Sequence, residues 1–304
     1  MPELPEVETV VRGLNQFVIG KTISVVKHDW SKSFPNAKSD VNAFLIRSNI
    51  IAVRRRAKIL LIDLSTEHTL VIHLKMTGQL VYVRSADKLT ANSGRLTAEE
   101  RFGAGHPNDS LIGRLPDKST RVTFMFSDSS RLFFNDQRKF GWVKLFPTIE
   151  VPSIDFFRKL GPEPLAANFT KIAFRERLMR RPNTNIKAAL LDQTVIAGVG
   201  NIYADESLWG AKIHPTTRVG KLSKAKTDRL FTELQFVLNL AIEKGGSTDR
   251  NYVNAEGKKG SYMQFARVFR REGQLCPRCG TTITKTRVAS RGTHTCPKCQ
   301  TLTK

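Results

Sequence analysis

Two hydrophobic rhythms divide the chain. Between residues 19 and 83 apolar positions recur in short strand-like runs: Ile23-Ser24-Val25-Val26, Ile59-Leu60-Leu61-Ile62, Thr69-Leu70-Val71-Ile72 and Leu80-Val81-Tyr82-Val83. A further pair, Val122-Thr123-Phe124-Met125-Phe126 and Leu132-Phe133-Phe134, is joined by Ser127-Asp128-Ser129-Ser130, residue types that suit a hairpin turn. After Gly161-Pro162-Glu163-Pro164 the period changes. Leu230, Leu234, Val237, Leu238, Ala241 and Ile242 repeat at three and four, which predicts a long helix ended by Gly245-Gly246. Shorter helices are expected over residues 171–180, 186–193 and 202–211. The polar stretch 85–119, rich in Gly, Asn and Pro, reads as an inserted surface loop rather than core. The pattern predicts an α+β chain: a mostly-β domain over residues 1–150, a linker over 151–165, a helical domain over 166–250 and a C-terminal segment over 251–304.

Charge changes the picture more than composition does. Of 304 residues 40% are hydrophobic, which argues against disorder. No apolar run approaches the roughly 18 residues of a helical membrane span. Glu3, Glu6 and Glu8 stand where a secretory leader carries basic residues, so a cytoplasmic protein is expected. Lysine and arginine number 49 against 27 acidic residues, a net charge of +22. Such a surplus points to a polyanionic partner, nucleic acid before an anionic membrane surface. The last 54 residues hold eleven Lys/Arg and two Glu, the most basic part of the chain.

All four cysteines lie in that part. Cys276, Cys279, Cys296 and Cys299 read C-x2-C, sixteen intervening residues, C-x2-C, the spacing of a zinc ribbon. Two residues between thiols let one tight turn present both sulfurs to a metal, and sixteen suffice for a β-hairpin that returns the second pair. Two disulfides are the alternative, which a cytosolic setting disfavours. Four thiolates would close the coordination shell, making the zinc structural and not catalytic. Charge and cysteines alone also fit a non-catalytic zinc-ribbon nucleic-acid-binding protein.

The first residues suggest chemistry. Removal of Met1 before the small Pro2 would free a secondary amine, and an α-amino group titrates near 8, so part of it is neutral at physiological pH. Attack of such an amine on a sugar C1′ gives a cationic iminium that acidifies the C2′ proton. Glu3 and Glu6 are candidate acid and base beside it. The same Pro-Glu-Leu-Pro-Glu run also suits a capped helix start.

Met1-Pro2-Glu3-Leu4-Pro5-Glu6-Val7-Glu8-Thr9-Val10 resembles the N-terminus of bacterial formamidopyrimidine-DNA glycosylases, the Fpg branch of the Fpg/Nei family. The resemblance runs end to end through Arg56-Ala57-Lys58, His73-Leu74-Lys75-Met76-Thr77-Gly78, Arg138-Lys139-Phe140-Gly141, Leu160-Gly161-Pro162-Glu163-Pro164-Leu165, residues 198–206, Arg291-Gly292-Thr293-His294 and the four cysteines. It implies two domains, an N-terminal β-sandwich with flanking helices and a C-terminal helix–two-turn–helix domain carrying a β-hairpin zinc finger. It implies a monomeric bifunctional glycosylase and AP lyase that removes oxidised purines from damaged double-stranded DNA in base excision repair.

By the same resemblance Pro2 is the nucleophile and Glu3 the acid assisting base release or ring opening. Lys58 contacts phosphate and moves a proton in β-elimination, and Arg291 grips phosphates around the lesion. Met76, Arg138 and Phe140 fill the void left by the extruded base. His73, Arg181, Lys187 and Asn201 are expected at the DNA, and residues 252–265 resemble the loop that closes over the everted base. One departure stands out. Lys118-Ser119-Thr120-Arg121 replaces a Lys-His-Asp-His run, so Ser119 falls where a histidine binds phosphate and Arg121 is the candidate substitute.

Overall fold

The alternating runs pair into two antiparallel sheets. The structure, a computed structural model, describes residues 2–84, 101–106, 108–247 and 262–302. These divide into two units, residues 2–158 with 244–247 and residues 159–243 with 262–302. In the first unit the strands are β1 (Ile23–His28), β2 (Ile50–Arg56), β3 (Ile59–Leu64), β4 (His68–His73), β5 (Gly78–Val83), β6 (Arg101–Gly105), β7 (Thr120–Phe126), β8 (Arg131–Asp136) and β9 (Trp142–Pro147). One sheet has the order β1-β7-β8-β5-β6 and the other β2-β3-β4-β9. Leu60, Ile62, Leu70 and Ile72 of one sheet share a core with Leu80, Tyr82, Phe124, Leu132 and Phe134 of the other, the arrangement of a β-sandwich.

Helix α1 (Leu4–Phe17) closes this sandwich, burying Val7, Val10, Val11 and Leu14 at helical spacing. Asn15 locks it to β2: its Nδ2 donates to Val53 O at 2.8 Å and its Oδ1 accepts from Val53 N at 3.2 Å. On the other side Gly13 lets Phe102 of β6 approach the helix; a Cβ there would lie 1.9 Å from the ring.

The stretch expected to be a surface loop is therefore in part core. Residues 101–105 form the edge strand β6, with Phe102 and Ala104 in the main core, and Leu111 and Leu115 pack with Val81, Val83 and Phe133. Two glycines in Arg-Phe-Gly-Ala-Gly hide its period of two. Residues 85–100 and 107 lie outside the described residues. The expected linker is packed as well. Val151, Ile154 and Phe157 cover Ile59, Leu61 and Val71. Gly161 N donates to Gln193 O at 2.8 Å and Leu165 packs into the second unit, so the change of unit falls after Arg158.

The second unit is built from α2 (Lys171–Met179), α3 (Ile186–Leu191), α4 (Asn201–Ala211), α5 (Lys224–Glu243) and the hairpin β10 (Thr284–Val288)–β11 (Arg291–Thr295). Thr170 and Asn185 cap α2 and α3 by accepting from Ala173 N and Ala188 N. Leu230, Leu234, Val237, Leu238 and Ala241 of α5 form the core face that the periodicity predicts. No helix among the described residues is long and apolar enough to cross a membrane.

Candidate active site and DNA interface

The N-terminus is held rigidly. Pro2 is buried immediately before α1, and Glu3 is the helix N-cap. The Glu6 carboxylate accepts from Glu3 N at 2.7 Å and from Ser247 N at 2.8 Å. This capping-box geometry fixes the backbone of Glu3, giving Glu6 a holding role at the site. Lys58, only 8% exposed, sits in the two-residue turn between β2 and β3, where Ala57 has φ +55°. Arg55 ties that turn to α1, donating to Ala57 O and Glu8 Oε2, each at 3.0 Å. Burial opposes ionisation of Glu8, but hydrogen bonds from Arg55 and Arg12 outweigh it and hold the carboxyl below its ordinary range. An anionic anchor thus joins α1 to the Lys58 turn.

The next loops carry the residues expected to enter a DNA duplex. Met76 is 37% and Phe140 54% exposed, and the Arg138 guanidinium lies 4.7 Å from the Phe140 ring centroid. Two large apolar side chains held at a surface, one beneath a cation, suit a wedge and do not belong to the core. His73 behaves differently. Burial, and then the charges of Lys75 and Lys58, push its pKa from 6.5 down to about 3, and its Nδ1 accepts from Lys75 N at 3.0 Å. The neutral ring must carry its proton on Nε2, making that atom a donor suited to a phosphate oxygen. We expect the His73 ring signals in NMR to stay those of the neutral form from pH 8 down to about pH 4. Because the folded pKa lies below the unfolded value, stability contributed by this group is complete above 6.5 and declines as pH falls towards 3.

The substitute proposed for the missing histidine fails. Arg121 is 4% exposed; its Nε donates to Asp136 O at 3.0 Å, and its two terminal nitrogens donate to Asp29 and Lys118 O. Ser119 is buried too, its hydroxyl on Asp117 Oδ1 at 2.7 Å. Neither presents a group to DNA.

In the second unit Gly198, at φ +87°, turns the chain between α3 and α4 while Gln193 accepts from its N–H at 2.9 Å. Asn201 starts α4, so its backbone lies at a helix N-terminus, where phosphate binds readily; its Nδ2 donates to Gly292 O at 3.0 Å. Arg181 is exposed beside Asp192 at 3.3 Å. Arg291 is exposed at the start of β11, after a turn in which Ala289 and Ser290 both have positive φ. Lys187, expected at the DNA, is instead fully buried. Its Nζ lies 2.6 Å from Asp205 Oδ1 and donates to Thr293 Oγ1 at 2.7 Å and Gly292 O at 3.2 Å. Asp205 also accepts from His294 N at 2.9 Å. Lys187 therefore fixes the strand that carries Arg291. Asp205→Ala should remove the carboxylate 2.6 Å from a fully buried cation and cost about 3–5 kcal/mol of stability in denaturant unfolding.

The sequence reading missed Asp205 and Asp136, buried carboxylates without a motif of their own. The four cysteines are free thiols whose sulfurs lie within 4.8 Å of one another, Cys276 to Cys299 at 4.0 Å and Cys279 to Cys296 at 3.4 Å. Four sulfurs about 2.3 Å from one zinc stand roughly 3.8 Å apart, so the donor set fits a single tetrahedral ion.

Comparison with known proteins agrees with this layout. Three family models match: the formamidopyrimidine-DNA glycosylase N-terminal domain over residues 1–143, its H2TH domain over 160–252, and the zinc finger found in FPG and IleRS over 273–302. The chain is 40% identical over 300 residues to a formamidopyrimidine-DNA glycosylase of Latilactobacillus sakei, covering 99% of this chain and 98% of that one. One from Chloroflexus aurantiacus is 42% identical over 302 residues, with the same coverage. A Lactococcus lactis Fpg variant bound to DNA containing Fapy-dG superposes with a TM-score of 0.82 at 33% identity, covering 99% of this chain and 100% of that one. With its sandwich, its H2TH turn and its four-cysteine finger in the family's order, the chain belongs to the formamidopyrimidine-DNA glycosylases.

Proposed function

We propose that this protein is a bifunctional DNA glycosylase and AP lyase, acting as a monomer in the cytoplasm to excise 8-oxoguanine and formamidopyrimidines from duplex DNA in base excision repair. Family membership makes it a glycosylase of damaged DNA, and related structures hold DNA with Fapy-dG, an abasic site or carbocyclic 8-oxo-G. The observation that carries the finer reading is Pro2, buried beside an N-capping Glu3 whose backbone Glu6 clamps.

The lone pair of the Pro2 amine would attack C1′ of the damaged nucleoside. The C1′–base bond breaks and the base leaves with a proton; the nitrogen sheds its own proton and the C1′–O4′ bond opens, O4′ taking a proton as the C=N bond forms, with Glu3 assisting base release or ring opening. The resulting iminium withdraws electrons from C2′, whose proton is lost as the 3′ phosphate leaves. Lys58, close enough to His73 to influence its charge, would contact phosphate and take part in that proton transfer. A second elimination expels the 5′ phosphate and leaves a one-nucleoside gap. Arg291, whose guanidinium offers a planar fork of N–H donors, suits phosphate clamping better than proton donation. Met76, Phe140 and Arg138 would occupy the vacated stack, with Arg138 donating to the orphaned cytosine. Residues 252–261, assigned to the lesion-covering loop, lie outside the described residues. Borohydride trapping on an 8-oxoguanine duplex tests the reading.

A further inference from the structure

We infer that Asp136 is the positioning residue that makes Met76, Arg138 and Phe140 act as one unit. Its carboxylate is wholly buried and accepts from both loops that carry the trio. Oδ2 takes Phe140 N at 2.8 Å and Gly141 N at 2.6 Å. Oδ1 takes Arg138 N at 3.2 Å and the hydroxyl of Thr77, the residue after Met76. Thr77 Oγ1 in turn accepts from Arg138 N at 3.1 Å, so the two loops share one hydrogen-bonded knot.

The surroundings leave that knot little freedom. A Cβ at Gly141 would lie 2.7 Å from Phe134 and 3.1 Å from Asp136 Oδ2, so the turn passes against the carboxylate as closely as a backbone can. Asp136 itself is gripped from behind: its N–H donates to Ser119 O at 2.7 Å and its carbonyl accepts from Arg121 Nε at 3.0 Å. Two of the three residues that depart from the family's histidine run, Ser119 and Arg121, thus buttress Asp136. Beyond the knot, Lys139 at φ +57° lays its ammonium 4.5 Å from the Trp30 ring centroid, fixing the outer side of the same turn.

A carboxylate with two acceptor oxygens can hold four donors in this way; a carboxamide cannot, since one of its ends donates. The wedge and the residue facing the orphaned base are therefore set through their backbone N–H groups by one carboxylate. This inference rests on the proposal that the trio fills the void in the duplex.

The test is a double-mutant cycle on excision of 8-oxoguanine from duplex DNA. Asp136→Asn should lower the excision rate about tenfold or more and weaken the preference for cytosine over adenine opposite the lesion. Phe140→Ala should be costly in the wild-type background and nearly silent beside Asp136→Asn, because both remove the same unit. Scission of single-stranded DNA bearing an abasic site, which has no stack to fill, should change less than twofold in Asp136→Asn. Should Asp136→Asn fail to fold, Thr77→Val carries the same cycle with Met76→Ala. Additive effects, or an unchanged opposite-base preference, overturn the inference while leaving the proposed activity standing. A wild-type protein that does not excise the base overturns both.

Discussion

Replacing Pro2 by glycine should sharply reduce borohydride-trapped adduct on an 8-oxoguanine duplex and lower strand scission on the order of 10³-fold or more. The proline nitrogen is a secondary amine, so once the C1′–O4′ bond opens the product is already a cationic iminium, with no proton needed on nitrogen. A glycine amine keeps nucleophilicity but gives an imine that must first be protonated, and it loses the ring that fixes the lone pair's direction. The local frame survives the change, since Glu3 still caps α1 and Glu6 still accepts from Glu3 N and Ser247 N. Unfolding therefore does not explain the loss, and unchanged melting confirms the frame. Wild-type trapping should accelerate as pH rises through about 8, where an α-amino group sheds its proton. Protein that retains Met1 has an amide at Pro2 and should be inert in the same assay. Scission persisting at full rate with that nitrogen blocked assigns the chemistry to another residue.

How far this was legible in the sequence depended on whether a residue's role was set locally. The strands β3, β4, β5, β7 and β8 and the helix α5 were readable because one buried face imposes a simple period. Strand β2 was not, because Arg54, Arg55 and Arg56 occupy its second half while α1 and Glu8 hold it from the side. Strand β6 was hidden by two glycines, Gly103 lying against Leu111 and Val81 and Gly105, at φ +124°, against the backbone of Gly78 and Gln79. The cysteines were readable from spacing alone, since a metal dictates it. Burial was not. Lys187 and Arg121 read as free cations because charged residues are seldom fully buried, yet each is enclosed by partners far along the chain: Asp205 and Thr293 for one, Asp29 and Asp136 for the other. Those pairings belong to tertiary structure, and no local window contains them.

Stripping the metal with a thiol-reactive mercurial, followed by chelation, should unfold the hairpin and lower affinity for lesion DNA by at least 10²-fold. The hairpin has almost no core of its own. Its cluster consists of Trp209, Val268, Ile283, Cys276 and Cys296, and two of those five are ligands. The coordination free energy of such sites is about 10–16 kcal/mol, far above what three apolar side chains supply, so folding of this element and metal binding are one event. Arg291 begins β11, and the same strand holds Gly292, Thr293 and His294 against Asn201, Lys187 and Asp205. Without the finger that strand is released, and the phosphate contact proposed for Arg291 would be lost with it. The logarithmic salt dependence of affinity should then become shallower by about 0.9 per contact removed. Tryptophan emission reports the same change, because Arg278 and Arg267 lie 3.8 and 4.8 Å from the Trp209 ring centroid. The His73 ring lies in the first unit and should stay neutral, which separates loss of the finger from global unfolding. Cys296→Ser should reproduce the effect without chelator, and added zinc should restore only the unmutated protein. Metal-free protein that keeps both its affinity and its salt slope would show that the finger does not place Arg291.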